Sequence, residues 1–203
     1  MEPNLMTNNS MLVRATTFAM LTAPFVQLIA DILWFGNGVI LTGTVFRQIS
    51  YILFIPAVLG AAYLAPSKTT GAIAMWLCLF GIGGGIAIVA LYRIGSGSEV
   101  SQTGLPLFVE QAFTKNPGIG LSIFIPGILF PLGHVVFSLA FLKRSRPHLL
   151  SIMFLASGVL FFMGNALEIK GALFTSDLLM IIVYALMAQK NVQQGEKFVS
   201  SIN

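Results

Sequence analysis

The chain has 203 residues, of which 56% are hydrophobic and only 9% charged, and its mean hydropathy is +0.88. A soluble domain carries about 25% charged residues because its surface faces water, so this composition excludes an ordinary soluble fold and indicates a chain embedded in lipid. The net charge of +4 does not indicate a nucleic-acid partner, because the eleven Lys and Arg residues are scattered between apolar runs rather than gathered on one face.

Six apolar segments follow one another along the chain. They cover residues 15–35, 50–64, 70–94, 118–142, 149–167 and 171–189. A helix needs about 20 residues to cross the hydrocarbon core of a bilayer. The second segment is short, so we expect it to begin near residue 44, which would place Arg47 at the membrane edge. The sequence therefore predicts an all-α integral membrane protein, a bundle of about six transmembrane helices.

Polar segments flank the predicted transmembrane domain 15–189: an N-terminal segment, 1–14, and a C-terminal tail, 190–203, expected to be disordered from residue 191. An even number of spans places both termini on one side of the membrane. That side would carry seven of the eleven basic residues, namely Arg14, Lys68, Lys143, Arg144, Arg146, Lys190 and Lys197. Because cytoplasmic connections carry the excess of Lys and Arg, we expect both termini to be cytoplasmic, in a plasma or inner membrane.

Two features suggest how the spans are organised. The third and sixth spans open on similar tripeptides, at residues 71–73 and 171–173, and Pro24 and Pro126 fall inside the first span of each half. These weak similarities suggest an inverted repeat of three plus three spans, as in many transporters.

The connection 95–117 is long, and its apolar part, 105–113, is expected to lie on the membrane surface.

A polar side chain inside a membrane span is unfavourable in free energy, so its presence calls for a structural or functional explanation. Gln27 and Asp31 are four residues apart and share one face of the first span, which Trp34 extends. In the fourth span, His134 shares its face with residues 127, 131 and 138. An imidazole facing hydrocarbon leaves its nitrogens unpaired, so we expect His134 to face protein or a cavity.

The last two spans add further polar groups. Asn165 and Glu168 end the fifth span, whereas Asp177 and Tyr184 lie two turns apart in the sixth. The predicted topology puts these acids and Asn165 at an outer depth similar to that of Asp31. Should the faces converge, they would line a polar cavity that opens to the outside beneath the long connection.

This convergence gives the leading functional hypothesis. The protein would bind or translocate a small apolar or cationic ligand through an outer-facing acidic cavity in the lipid bilayer. In that hypothesis Asp31 and Asp177 supply charge, His134 supplies a polar or proton-handling group, and Trp34 and Tyr184 supply aromatic walls. The candidate ligand-binding residues are Gln27, Asp31, Trp34, His134, Asn165, Glu168, Asp177 and Tyr184.

Three alternatives stand beside this hypothesis. Asp31 would have a structural role if it neutralised Arg47 or Arg93, as would Glu168 if it paired with Lys170. An intramembrane isomerase or cyclase acting on a lipid-like substrate would use paired acids, one of them kept protonated. An accessory subunit of a larger membrane complex would use its polar groups only for assembly.

The sequence predicts neither a cofactor nor a metal site. A haem held by two histidines needs them at matching depth, but His148 lies in the connection after the span of His134. Cys78 is the single cysteine, which excludes an intrachain disulfide and a CxxC metal site. Gly81 and Gly85 form a GxxxG pair, which favours close helix packing, within the bundle or in a homo-oligomer.

The expected topology can be tested by thiol labelling of intact cells. Ser98→Cys and Gln102→Cys should react with an impermeant thiol reagent added outside, whereas Ser145→Cys should not, because the basic connection 143–146 is expected to be cytoplasmic. The unsubstituted protein measures the background from Cys78. Labelling of Ser145→Cys from outside would reverse the predicted orientation.

Overall fold

The computed structural model describes residues 3–36, 40–94, 111, 114–115, 117–142 and 148–200. Within these ranges the chain forms helices and no strands, which confirms the predicted all-α bundle. Backbone polar groups in lipid must be satisfied within the chain, and a helix does this within a single segment. The helices are α1 (Pro3–Gly36), α2 (Ile40–Leu64), α3 (Lys68–Ile94), α4 (Pro117–Phe141), α5 (His148–Ala166) and α6 (Lys170–Ser200).

Five of these helices are long and apolar enough to cross a membrane, and their candidate spans lie within α1, α2, α3, α5 and α6. Helix α4 has 25 residues, and its apolar stretch Ile125–Phe141 lies in the part whose side chains are described. Large apolar side chains such as Phe18, Trp76 and Phe80 are exposed on the outside of the bundle. Such a surface suits lipid, which solvates apolar side chains that water would not.

The six helices form a closed ring. Each packs against the helix before and after it in the chain, α6 packs against α1 to close the ring, and α2 also reaches α6. The N-terminal part of α1 and the C-terminal part of α6 meet at one end, where the Asn191 amide donates to Thr16 Oγ1 at 2.8 Å. Residues from widely separated parts of the sequence therefore face one interior.

The structure corrects two expectations about helix ends. Helix α2 begins at Ile40, so Arg47 lies two turns inside it and is only 8% exposed, not at the membrane edge. Helix α6 continues to Ser200, so the expectation that the tail is disordered is wrong for residues 191–200. Hydrogen bonds from Asn191 to Thr16 and Thr17 hold the first turn of this segment against α1. The apolar stretch 105–113 lies outside the described residues, apart from Gln111.

Glycines on α3 allow α4 to approach closely. A Cβ atom on Gly81 would lie 2.6 Å from Phe130 Cα, and one on Gly84 would lie 2.8 Å from the Gly127 nitrogen. Gly85 instead faces α2, where a Cβ would lie 2.7 Å from the Tyr51 ring. The expected packing role of Gly81 is confirmed, but the two glycines of the GxxxG pair serve different neighbouring helices.

Alanine substitution should separate the packed glycines from the open ones. Gly81→Ala forces a methyl group into the backbone of α4, so we expect a loss of about 1–3 kcal/mol and a lower Tm in detergent. Gly83→Ala is the control, because a Cβ at this position would have no atom within 4 Å and alanine favours a helix by up to about 1 kcal/mol. Equal Tm values for the two variants would contradict the close α3–α4 packing.

Candidate functional site

A buried ion pair joins α1 to α2. The Asp31 carboxylate is fully buried and accepts two bonds from the Arg47 guanidinium, one of them from Nε at 3.0 Å. The Gln27 amide Nε2 donates to the other Asp31 oxygen at 3.0 Å, as the spacing of four residues predicts. Both Asp31 oxygens therefore have a hydrogen-bond donor, and Asp31 neutralises Arg47, as one structural alternative proposed, inside the bundle rather than at its surface.

Aromatic rings cover the arginine. The Arg47 guanidinium lies 4.6 Å from the Trp34 ring centroid and 5.9 Å from that of Phe35. The Trp34 ring makes an edge contact with Tyr92 of α3 at 4.8 Å between centroids. Ring faces attract a cation most strongly where water is excluded. The face predicted from Gln27, Asp31 and Trp34 thus forms one continuous set of contacts around Arg47.

Asp177 of α6 joins this cluster from the other side. Its side chain is fully buried, and it lies within hydrogen-bonding reach of the Asp31 carboxyl and within electrostatic range of Arg47. Neither of its oxygens has a donor among the described residues, and neither has Gln27 Oε1. An ionised Asp31 only accepts hydrogen bonds, so it gives Asp177 no donor. We call Asp31 and Asp177 the acid pair.

The structure brings His134 and Tyr184 together at a second place. His134 is 1% exposed, which confirms that it faces protein. Its Nδ1 lies 3.1 Å from the Phe130 carbonyl oxygen, and its Nε2 lies 3.4 Å from the Tyr184 hydroxyl. A neutral imidazole with its proton on Nδ1 donates to Phe130 and accepts from Tyr184, so both nitrogens are satisfied. The Cys78 thiol lies 3.9 Å from Nδ1 and completes the cluster.

The two clusters are separate in the bundle. Tyr184 follows Asp177 by two helical turns, or about 10 Å along α6. Aromatic rings of Phe54, Phe130 and Phe154 surround the His134–Tyr184 cluster, with centroids between 4.6 and 5.9 Å from one of the two rings. The imidazole therefore belongs to a packed aromatic core rather than to the surroundings of the acid pair.

Asn165 and Glu168 have exposed side chains and stand apart from the buried cluster. The Asn165 amide donates to the Phe161 carbonyl of its own helix at 2.9 Å. Glu168 lies in the turn before α6 with a φ of 55°, and its charge acts on Tyr92. Lys170, the partner suggested for Glu168, donates to the Phe35 carbonyl oxygen at 3.1 Å. The bond from Lys170 to Phe35 places the turn that contains Glu168 near the C-terminal end of α1.

Sequence reasoning placed Arg47 outside the site, and it did not include Tyr51. The charges of Asp31, Asp177 and Arg47 all act on Tyr51, which places its hydroxyl in the electrostatic environment of the acid pair. One signal for Arg47 was present in the sequence, since a lone Arg beside an apolar segment and an acid at similar depth form a complementary pair. No comparable signal marked Tyr51.

Comparison with protein-family models, curated proteins and solved structures finds no match for this chain. The described residues contain no group of three or more His, Cys, Asp or Glu side chains able to hold a metal ion. Among the described residues, the buried side-chain oxygens left without donors are both oxygens of Asp177, in the acid pair, and Gln27 Oε1.

The buried ion pair should stabilise the fold far more than a surface arginine does. Arg47→Met leaves two buried carboxyl groups without their cation, and breaking a buried pair costs about 3–5 kcal/mol. Arg93→Met is the matched control, because Arg93 is exposed and donates to Gln48 at 2.6 Å, an interaction worth up to ~1 kcal/mol. Similar losses of Tm in both variants would contradict the role of the Arg47–Asp31 pair.

Proposed function

We propose that the protein binds a small cationic ligand at the acid pair and moves it across the membrane. The observation that supports this proposal is Asp177, a fully buried carboxyl within a candidate span whose two oxygens have no donor among the described residues. Buried polar groups in folded proteins are nearly always hydrogen-bonded. A carboxyl left without partners inside a membrane therefore indicates a ligand that supplies the missing contacts.

Asp31 and Asp177 differ in whether their hydrogen-bond partners within the bundle explain their burial. Asp31 accepts bonds from Arg47 and Gln27, so the pairing of α1 with α2 is enough to explain it. Asp177 makes no comparable bond, and leaving a buried polar group unsatisfied costs about 1–3 kcal/mol, more if it is charged. A proton held between Asp177 and Asp31 would give Asp177 only one hydrogen bond, whereas a bound cation can contact both of its oxygens.

The same contrast favours a cationic ligand over an apolar one. Carboxylate and amide oxygens without donors attract positive charge or a hydrogen-bond donor, and neither is supplied by an apolar molecule. The aromatic rings of Trp34 and Tyr92 lie next to Arg47 towards the end of α1, and such rings also attract cations. Charge and aromatic surface thus coincide at this end of the bundle.

An intramembrane acid–base enzyme is the second candidate, because two adjacent carboxyl groups can divide the tasks of proton donor and acceptor. It predicts a chemically altered lipid after incubation with the protein, whereas transport predicts an unchanged ligand on the other side. The absence of a donor at Asp177 among the described residues fits both candidates, but the neighbouring aromatic rings favour the transport of a cation.

The proposal can be tested by thermal unfolding with a panel of chloride salts at equal ionic strength. The panel comprises lithium, sodium, potassium, tetramethylammonium and tetraphenylphosphonium. A cation that binds only the folded protein at about 100 times its Kd adds roughly 2.7 kcal/mol of stability. We expect at least one cation to raise the Tm of the wild-type protein and to have little effect on Asp177→Asn.

Glu196→Gln provides the matched control, since it also removes one carboxylate from α6 but about 28 Å further along the helix axis. This variant should respond to the cation as the wild-type protein does. If no cation raised the wild-type Tm, or if Asp177→Asn responded equally, cation binding at the acid pair would be ruled out.

A further inference from the structure

We infer that the acid pair and the Gln27 carbonyl oxygen bind one small alkali-metal cation in competition with one proton. This inference rests on the proposed function and names its ligand. It makes the protein an exchanger in which a bound proton leaves whenever the cation enters. Three observations lead to it: the charge count of the cluster, the chemistry of its unpaired oxygens, and the small number of other titratable groups that face Asp177 from the described residues.

The charges in the cluster balance only with one added positive charge. Arg47 contributes one positive charge, whereas Asp31 and Asp177 contribute two negative charges when both are ionised. An uncompensated charge is strongly disfavoured in a buried, lipid-surrounded site. A single proton held between the carboxyl groups makes the cluster neutral and supplies the hydrogen bond that two ionised carboxylates cannot make. A monovalent cation restores the same balance, but a divalent one does not.

The unpaired atoms select a hard cation. Both Asp177 oxygens and Gln27 Oε1 are buried acceptors without donors among the described residues. The Gln27 amide is fixed in orientation, because its Nε2 donates to Asp31 and its Oε1 is thereby left free to accept. Hard cations prefer carboxylate and amide oxygens as ligands. Full burial of Asp31 and Asp177 favours a small ion over a bulky organic cation.

The helices packed against α6 bring few other titratable groups to Asp177. Helix α1 contributes Asp31, and α2 contributes Arg47 and Tyr51. Residues 149–166 of α5 contain no acidic, basic, Tyr, Cys or His side chain. The exchange is then simple: the O–H bond of the acid pair breaks, the proton passes to water, and the cation takes its place beside the two carboxylates. The net charge of the site is unchanged.

Infrared spectroscopy tests the shared proton without any ligand. At neutral pH in a potassium-free, sodium-free buffer, the wild-type protein should show the carbonyl stretch of a protonated carboxyl group. Asp177→Asn should lose this band, because Asp31 alone is neutralised by Arg47, whereas Glu196→Gln should keep it. The amide that Asp177→Asn introduces can donate to Asp31 as the protonated acid does, so this variant should also keep its Tm. Absence of the band from the wild-type protein would overturn the shared proton.

Sodium titration tests the competition. Cation binding to a protonated site releases protons, so adding NaCl to weakly buffered wild-type protein should release one proton for each sodium ion bound. The apparent Kd for sodium should rise about tenfold for each unit by which the pH is lowered. Asp177→Asn should release none, and Glu196→Gln should match the wild-type protein. Gln27→Leu should weaken sodium binding but leave the infrared band in place.

The outcomes distinguish this inference from the proposed function. Stabilisation by tetramethylammonium or tetraphenylphosphonium but not by lithium, sodium or potassium would overturn the alkali-metal site and leave cation binding standing. Sodium binding without proton release would overturn the competition alone. No response to any cation would overturn both the function and the alkali-metal site.

Discussion

The ion pair between Asp31 and Arg47 is the constraint on which the polar interior of this protein depends. Neither charge can remain in a membrane-spanning helix alone, because an unpaired ion in low dielectric is far less stable than one in water. Pairing them fixes α1 against α2 and orients the Gln27 amide through its bond to the carboxylate. It also holds the Arg47 guanidinium beside Trp34. The second acid, Asp177, is then placed beside a pair that already has its partners.

The bundle contains two buried polar clusters with different properties. In one of them, His134 and Tyr184 satisfy one another and the backbone, and aromatic rings pack around them. Such a cluster stabilises and specifies a core. The acid pair has the opposite character, because Asp177 and Gln27 keep oxygens that no described residue satisfies. Helix α6 contributes to both clusters, through Asp177 and Tyr184.

The helix contacts around the ring differ in kind as well. Gly81 and Gly84 let the backbones of α3 and α4 approach so closely that no side chain fits between them, and a contact of this type has little room to adjust. The contact of α1 and α2 with α6 instead includes the charged groups Asp31, Arg47 and Asp177. One helix contact in the bundle is therefore determined by shape and another by charge.

The sequence by itself determined the all-α membrane bundle, because long apolar runs can be satisfied in lipid only as helices. It also determined the shared face of Gln27 and Asp31, since positions four apart on a helix are neighbours by geometry. Which distant groups meet was decided by the tertiary structure. Because α2 begins at Ile40, Arg47 lies within this helix, and the packing of α2 on α1 turns it inward to Asp31. The contact of α6 with α1 places Asp177 beside them. Asn165 and Glu168, which were expected at a similar depth, have exposed side chains, because depth along a helix does not determine which face turns inward.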